Sequence, residues 1–244
     1  MTDIPATKYA HTLEGAYLAY QVLGDGPIDL VLPMNGGFAV DLAWEEPAIA
    51  SGLKRLATIS RVITFDPRGF GSSAGVDPKR IPAVQTWMDD LGTVMDAVGS
   101  EKAALLSWSE CSPAVMLFAA TYPRRVSSLV LVNAYARYLR NDECPWGLAP
   151  DRLPAYIEII QEAWGTGVVT ETLAPSMVRN DEARRRWARA ERLSGTPDRV
   201  AIARAFMESD VTDILSSIQA PTLLIRRFRV LSGSPCALTG RLAA

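Results

Sequence analysis

The sequence contains one histidine, His11, and no aspartate or glutamate after Asp213. Both scarcities restrict chemistry. Imidazole is the side chain best suited to take a proton at neutral pH, and here it can come only from a position near the N-terminus. Cysteines are few and odd in number: Cys111, Cys144 and Cys236, without metal-ligand spacing. They read as free thiols in a reducing cytosol rather than a disulfide framework, so a cytoplasmic location is expected. No His/Cys/carboxylate cluster stands at ligand spacing, so neither a metal nor a cofactor is expected. No apolar run approaches the ~20 residues of a membrane span, and Met1 to Lys8 lack an apolar signal core, so no membrane partner is expected. The formal net charge of −2 leaves no basic excess to attract nucleic acid. There is no internal repeat.

What is present is a globular composition. Of 244 residues, 48% are hydrophobic and 21% charged, which suits one large folded domain. Tyr9–Leu13 and Ala16–Leu23 flank Glu14-Gly15 and read as a hairpin. Apolar strands follow at Ile28–Leu32, Arg61–Phe65, Ala103–Leu106, Ser128–Asn133 and Pro221–Ile225. Between them lie helical stretches at Leu42–Ile59, interrupted by Pro47, and at Pro82–Val98. In the latter, Trp87, Leu91, Val94 and Val98 share one face. Strands of continuous apolar character alternating with helices predict a mostly parallel sheet with helices on both faces. From Leu139 to Asp210 the pattern is helical only, near Arg152–Trp164, Glu182–Leu193 and Asp198–Glu208. This predicts a helical cap (140–209) inserted into a core (1–139 and 210–226), with an irregular tail (227–244).

The sharpest local signal is Leu105-Leu106-Ser107-Trp108-Ser109-Glu110-Cys111-Ser112-Pro113, an apolar strand, a tight turn and an apolar helix. A serine at the apex of such a turn matches the nucleophile elbow G-x-S-x-G in part, with Ser107 and Cys111 where glycines usually stand. Cys111 reads as a small packed residue, with a reactive thiol as the other reading. Asp66-Pro67-Arg68-Gly69-Phe70-Gly71-Ser72-Ser73 leaves the strand Arg61–Phe65, and Asp66 with Arg68 reads as a charged pair shaping that loop. Asp89 and Asp90 read as solvated helix residues. The run Arg184 to Arg186, with Arg189 and Arg192 among Asp181, Glu182 and Glu191, reads as a solvated face. Tyr156, Trp164, Trp187 and Phe206 read equally as a pocket lining or as the cap's own core.

The elbow, the Asp66-x-Arg68-Gly69-x-Gly71-x-Ser73 loop and the order of elements together resemble the α/β-hydrolase family. Ala19–Val31, Ala43-Trp44-Glu45-Glu46-Pro47 and Phe118–Pro123 look closest to the hydrolase-like modules found ahead of adenylate cyclase domains in actinobacteria. The resemblance implies an α/β-hydrolase fold, Ser109 as nucleophile, and oxyanion donors at the Glu110 amide and in the loop bearing Gly36 and Gly37. It implies a serine hydrolase of carboxylic esters or similar small acyl substrates. The family's acid and histidine, expected beyond Thr222–Ile225, have no counterpart, and Asn133 occupies the alternative acid position. The fold is therefore expected to be truncated at its last strand and helix. Either the tail has left the ancestral reading frame, which we favour, or a natural short form is completed by a partner. Both leave a sheet edge open to self-association. The competing function is a non-catalytic hydrolase-like binding or interaction module.

Overall fold

The computed structural model describes residues 4–34, 38–173, 178 and 180–226. Gly36, Gly37 and the tail from 227 onward lie outside the described residues.

Seven strands form one sheet in the order β1-β2-β4-β3-β5-β6-β7. They are β1 (Lys8–His11), β2 (Tyr17–Leu23), β3 (Asp29–Pro33), β4 (Arg61–Phe65), β5 (Ala103–Trp108), β6 (Val126–Val132) and β7 (Thr222–Ile225). The hairpin β1–β2 is antiparallel and joins β4 antiparallel; β4, β3, β5, β6 and β7 run parallel. Val31, Ile63 and Leu105 are fully buried, as parallel strands covered on both faces require. β7 ends the order among the described residues, with Leu223 56% and Ile225 46% exposed.

The helices follow the sequence pattern with local changes. Pro47 splits the expected Leu42–Ile59 helix into a 3-10 turn, Leu42–Glu45, and α1 (Pro47–Leu56). Proline supplies no amide donor, and at a first helical turn none is needed. α2 (Val84–Ala97) buries Trp87, Leu91 and Val94, and Gly99 follows it at φ 65°, a left-handed stop. α3 (Ser112–Thr121) is apolar nearly all round and packs on α2. Between β6 and β7 come α4 (Leu153–Ala163), α5 (Val168–Leu173), α6 (Asp181–Ser194) and α7 (Val200–Glu208). The short α5 has no counterpart in the sequence reading, because six residues carry too little periodicity to register.

Four charged residues are placed differently from the expectation. Asp66 and Arg68 do not pair. Arg68 reaches Asp90 at 2.8 Å and Glu14 at 3.0 Å, while Asp66 is satisfied by backbone amides. Asp90 is 0% exposed rather than solvated. Burial pushes its carboxyl upward and the Arg68 guanidinium draws it back down. Glu191 is also buried, accepting the Gly165 and Gly167 amides and the Thr170 hydroxyl. The arginines of the run are half-buried or exposed and mostly paired: Arg184 with Glu171, Arg186 with Glu182 and the buried Glu46, and Arg189 with Glu45.

Removing one partner of a buried pair strands the other. Asp90→Ala is therefore expected to destabilise the fold by ~3 kcal/mol or more, read from urea unfolding; a change under ~1 kcal/mol would show that Arg68 finds other partners.

Candidate functional site

The candidate site begins where β5 ends. The chain turns through Ser109–Cys111 into α3, and Ser109 holds φ at 50°. A left-handed backbone at a residue with a β-carbon is unfavourable by roughly 1–2 kcal/mol. Only Ser109 and Asn133 adopt positive φ among the described non-glycine residues. The turn leaves Ser109 exposed above the sheet while its neighbours pack below. Ser107 is fully buried, its hydroxyl 3.4 Å from that of Ser112. Cys111 is 3% exposed and its Sγ–H points at the Met34 carbonyl at 3.8 Å. Burial pushes the Cys111 thiol well above its ordinary range, with Glu110 adding to the rise. That is the opposite of an activated thiolate. The two residues in the usual glycine positions are thus small enough to be packed, and the turn retains the elbow conformation.

The loop after β3 meets this turn from the other side. Phe38 stacks edge-on against Trp187 with centroids 4.2 Å apart. The Ala39 amide donates to Ser194 Oγ at 3.2 Å, and the Val40 amide to Asp66 Oδ1 at 2.8 Å. Asp66 Oδ2 accepts the Ser72 amide at 2.9 Å, and a β-carbon on Gly71 (φ 51°) would fall on that same oxygen. Asp66 therefore ties the loop after β3 to the loop after β4. Burial raises its carboxyl to about 7, against the two amide bonds and the charge of Arg199, with Asp41 adding to the rise.

His11 is on β1, four strand positions from β5, with β2, β4 and β3 between them. At ~4.8 Å per strand the separation is roughly 19 Å, far beyond proton-transfer reach. Its ring lies against Tyr17, 4.8 Å between centroids. At the end of β6, Asn133 donates its amide to the Ile225 carbonyl. Among the described residues no group of three or more His, Cys, Asp or Glu side chains is arranged to hold a metal ion.

Two features near the elbow escaped the sequence reading. Tyr135 is buried, its hydroxyl has no hydrogen-bond partner among the described residues, and it feels Glu110 and Cys111 electrostatically. Arg199, at the start of α7, is 7% exposed, with its guanidinium 3.7 Å from the Phe70 centroid. Tyr156, Trp164, Trp187 and Phe206 make packing contacts: Phe206 lies on Trp87, Tyr156 near Tyr138, Trp187 on Phe38, and the Trp164 indole donates to the Gly195 carbonyl.

The family model described as the α/β hydrolase fold matches residues 30–198. The chain belongs to the α/β-hydrolase fold family. Among curated proteins, the human Serine hydrolase BPHL is 33% identical over 140 residues, 55% of this chain and 45% of that protein. The Putative carbamate hydrolase RutD of Caulobacter sp. (strain K31) is 33% identical over 90 residues, 36% of this chain and 32% of that protein. The chain thus matches less than half the length of these curated relatives. Among solved structures, a hydrolase from Pseudomonas aeruginosa superimposes with a TM-score of 0.73 at 22% identity, covering 95% of this chain and 84% of that one. An esterase from Exiguobacterium antarcticum gives 0.75 at 18% identity, covering 90% and 80%. These likenesses establish the α/β-hydrolase architecture.

Asp66 also makes stability depend on pH. Its folded value, about 7, lies above its ordinary 3.8, so the unfolded chain releases this proton first as pH rises. The contribution of Asp66 is therefore most favourable below pH ~4, declines between pH ~4 and ~7, and stays lost above, by up to ~4 kcal/mol. Urea unfolding across this range should show that decline, and Asp66→Asn should flatten it; an unchanged slope in Asp66→Asn would contradict the assignment.

Proposed function

We propose that this chain derives from a serine hydrolase of carboxylic esters or similar acyl substrates and turns them over weakly or not at all. Ser109 is the nucleophile. The Glu110 amide and the loop bearing Gly36 and Gly37 are the oxyanion donors, and Asp66 and Arg68 shape the adjoining loops. The observation that carries this reading is the left-handed backbone of Ser109 at the strand–helix apex, with the single imidazole four strand positions away.

Acyl transfer asks Ser109 Oγ to lose a proton as it bonds the acyl carbon. The departing alkoxide must gain that proton, and water then releases the acid. A base in hydrogen-bond reach normally carries the proton both ways. Without one, oxyanion donors and binding leave residual catalysis, some 10⁴–10⁶ below a complete triad in order of magnitude. The alternative, a non-catalytic binding or interaction module, is favoured by the same missing base, since fold alone does not fix function.

Several finer readings belong with this proposal. The chain is a single hydrolase-like domain, with the helical stretch between β6 and β7 as its cap. It looks like the modules ahead of actinobacterial adenylate cyclase domains. It works in the cytoplasm on a small-molecule substrate if active, without nucleic acid or membrane. The exposed Leu223 and Ile225 on β7 support self-association through that edge.

Turnover of short-chain p-nitrophenyl esters by the purified chain and by Ser109→Ala tests the proposal. The expected result is a rate only marginally above solvent hydrolysis and at most a few-fold change in Ser109→Ala. Efficient turnover abolished in Ser109→Ala would instead establish a working triad-equivalent.

A further inference from the structure

One buried cation on the helical stretch between β6 and β7 faces the elbow. Arg199 closes the turn Pro197–Arg199 and leads into α7, which packs on Ser109–Cys111. Its guanidinium lies 3.7 Å from the Phe70 centroid and 5.5 Å from that of Trp164. Nη1 donates to the Ser194 carbonyl at 3.3 Å, and that carbonyl also accepts the Gly71 amide at 3.0 Å. Ser194 Oγ accepts the Ala39 amide. Arg199 therefore meets, directly or through Ser194, the loops after β3 and β4 and the elbow turn.

A guanidinium out of water costs several kcal/mol unless negative charge balances it. Burial pulls Arg199 down to about 10, while Glu110 and then Asp66 pull the other way. These two carboxylates sit on separate elements: Glu110 follows Ser109, and Asp66 holds the Val40 and Ser72 amides. Lysine would not reproduce the stack on Phe70, because only a planar guanidinium lies flat on a ring.

We propose that Arg199 is a positioning residue of the candidate site. Its guanidinium, at the start of the helix that packs on Ser109–Cys111, is stacked on Phe70 and bonded to the Ser194 carbonyl, and so fixes the elbow turn and the 38–41 loop in one relative placement. This rests on reading the Glu110 amide and the loop after β3 as the oxyanion donors. Four groups bear on the Asp66 carboxyl: the Val40 and Ser72 amides, Arg199 and Asp41.

The test is an NMR titration of the whole chain, following the Asp66 carboxyl carbon and the Glu110 amide, in the wild type, Arg199→Lys and Arg199→Met. In the wild type both signals should move together, with a midpoint of about 7. Arg199→Met should raise the Asp66 midpoint by ~1 pH unit or more and uncouple the Glu110 amide from it; Arg199→Lys should keep most of the coupling. No change in Arg199→Met, or identical behaviour of the Met and Lys variants, would overturn the proposal. If Arg199→Met does not fold, its combination with Asp66→Asn should recover folding; failure to recover would assign Arg199 to packing alone and overturn it equally. Neither signal depends on Ser109 reacting, so this proposal and the hydrolase reading stand or fall separately.

Discussion

Ser109 holds its backbone at φ 50°, and much of the surrounding structure is arranged so that it can. A left-handed serine persists only where both flanking elements are fixed. β5 lies in mid-sheet between β3 and β6, and α3 is clamped by α2 and the sheet. Below the turn, Ser107, Cys111 and Ser112 are buried in the space glycines would otherwise leave open. The Cys111 thiol reaches the Met34 carbonyl at the end of β3, so elbow and neighbouring loop share one packed floor. Conservation of the shape does not require conservation of the chemistry. The turn is maintained by packing that is indifferent to whether a base stands above it.

The ground around the elbow is charged but enclosed. Asp66, Asp90 and Arg199 are all buried, and each is compensated differently. Asp90 has Arg68 as a direct partner. Asp66 has backbone amides and a raised pKa of about 7, so part of its burial is met by holding a proton. Arg199 has a ring face, one carbonyl and two carboxylates acting electrostatically. The difference matters for function. The Arg68–Asp90 pair is a support under the loop after β4, whereas Asp66 and Arg199 join elements that meet at Ser109.

The strands and main helices could be read from the sequence because their signal is local. β3 to β6 are continuous apolar runs, and α2 repeats its apolar residues on one face. The elbow was legible for the same reason: strand, turn and helix lie within about twenty consecutive residues. The charge partners were not. Arg68 was read with Asp66, two positions away, but bonds Asp90, on a helix that crosses back over the loop. Glu191 sits amid an arginine run that suggested solvent, yet it caps a buried turn near Gly165. Arg199 carries no sequence signal at all, because a single arginine at the start of a helix looks like any surface residue. Only the docking of α7 onto the elbow turn gives it a role. The positive φ of Ser109 was implied by the motif, whereas that of Asn133 had no motif to announce it.

The central claim of the proposal is that the turn presents Ser109 as a nucleophile while the chain's single imidazole stands on β1, four strand positions from β5. The most direct measurement is the rate at which a fluorophosphonate modifies Ser109, followed by intact mass, as free imidazole is added. The account predicts slow modification that rises in proportion to imidazole and is unaffected by His11→Ala. Rapid, stoichiometric modification of Ser109 that is insensitive to imidazole would contradict it.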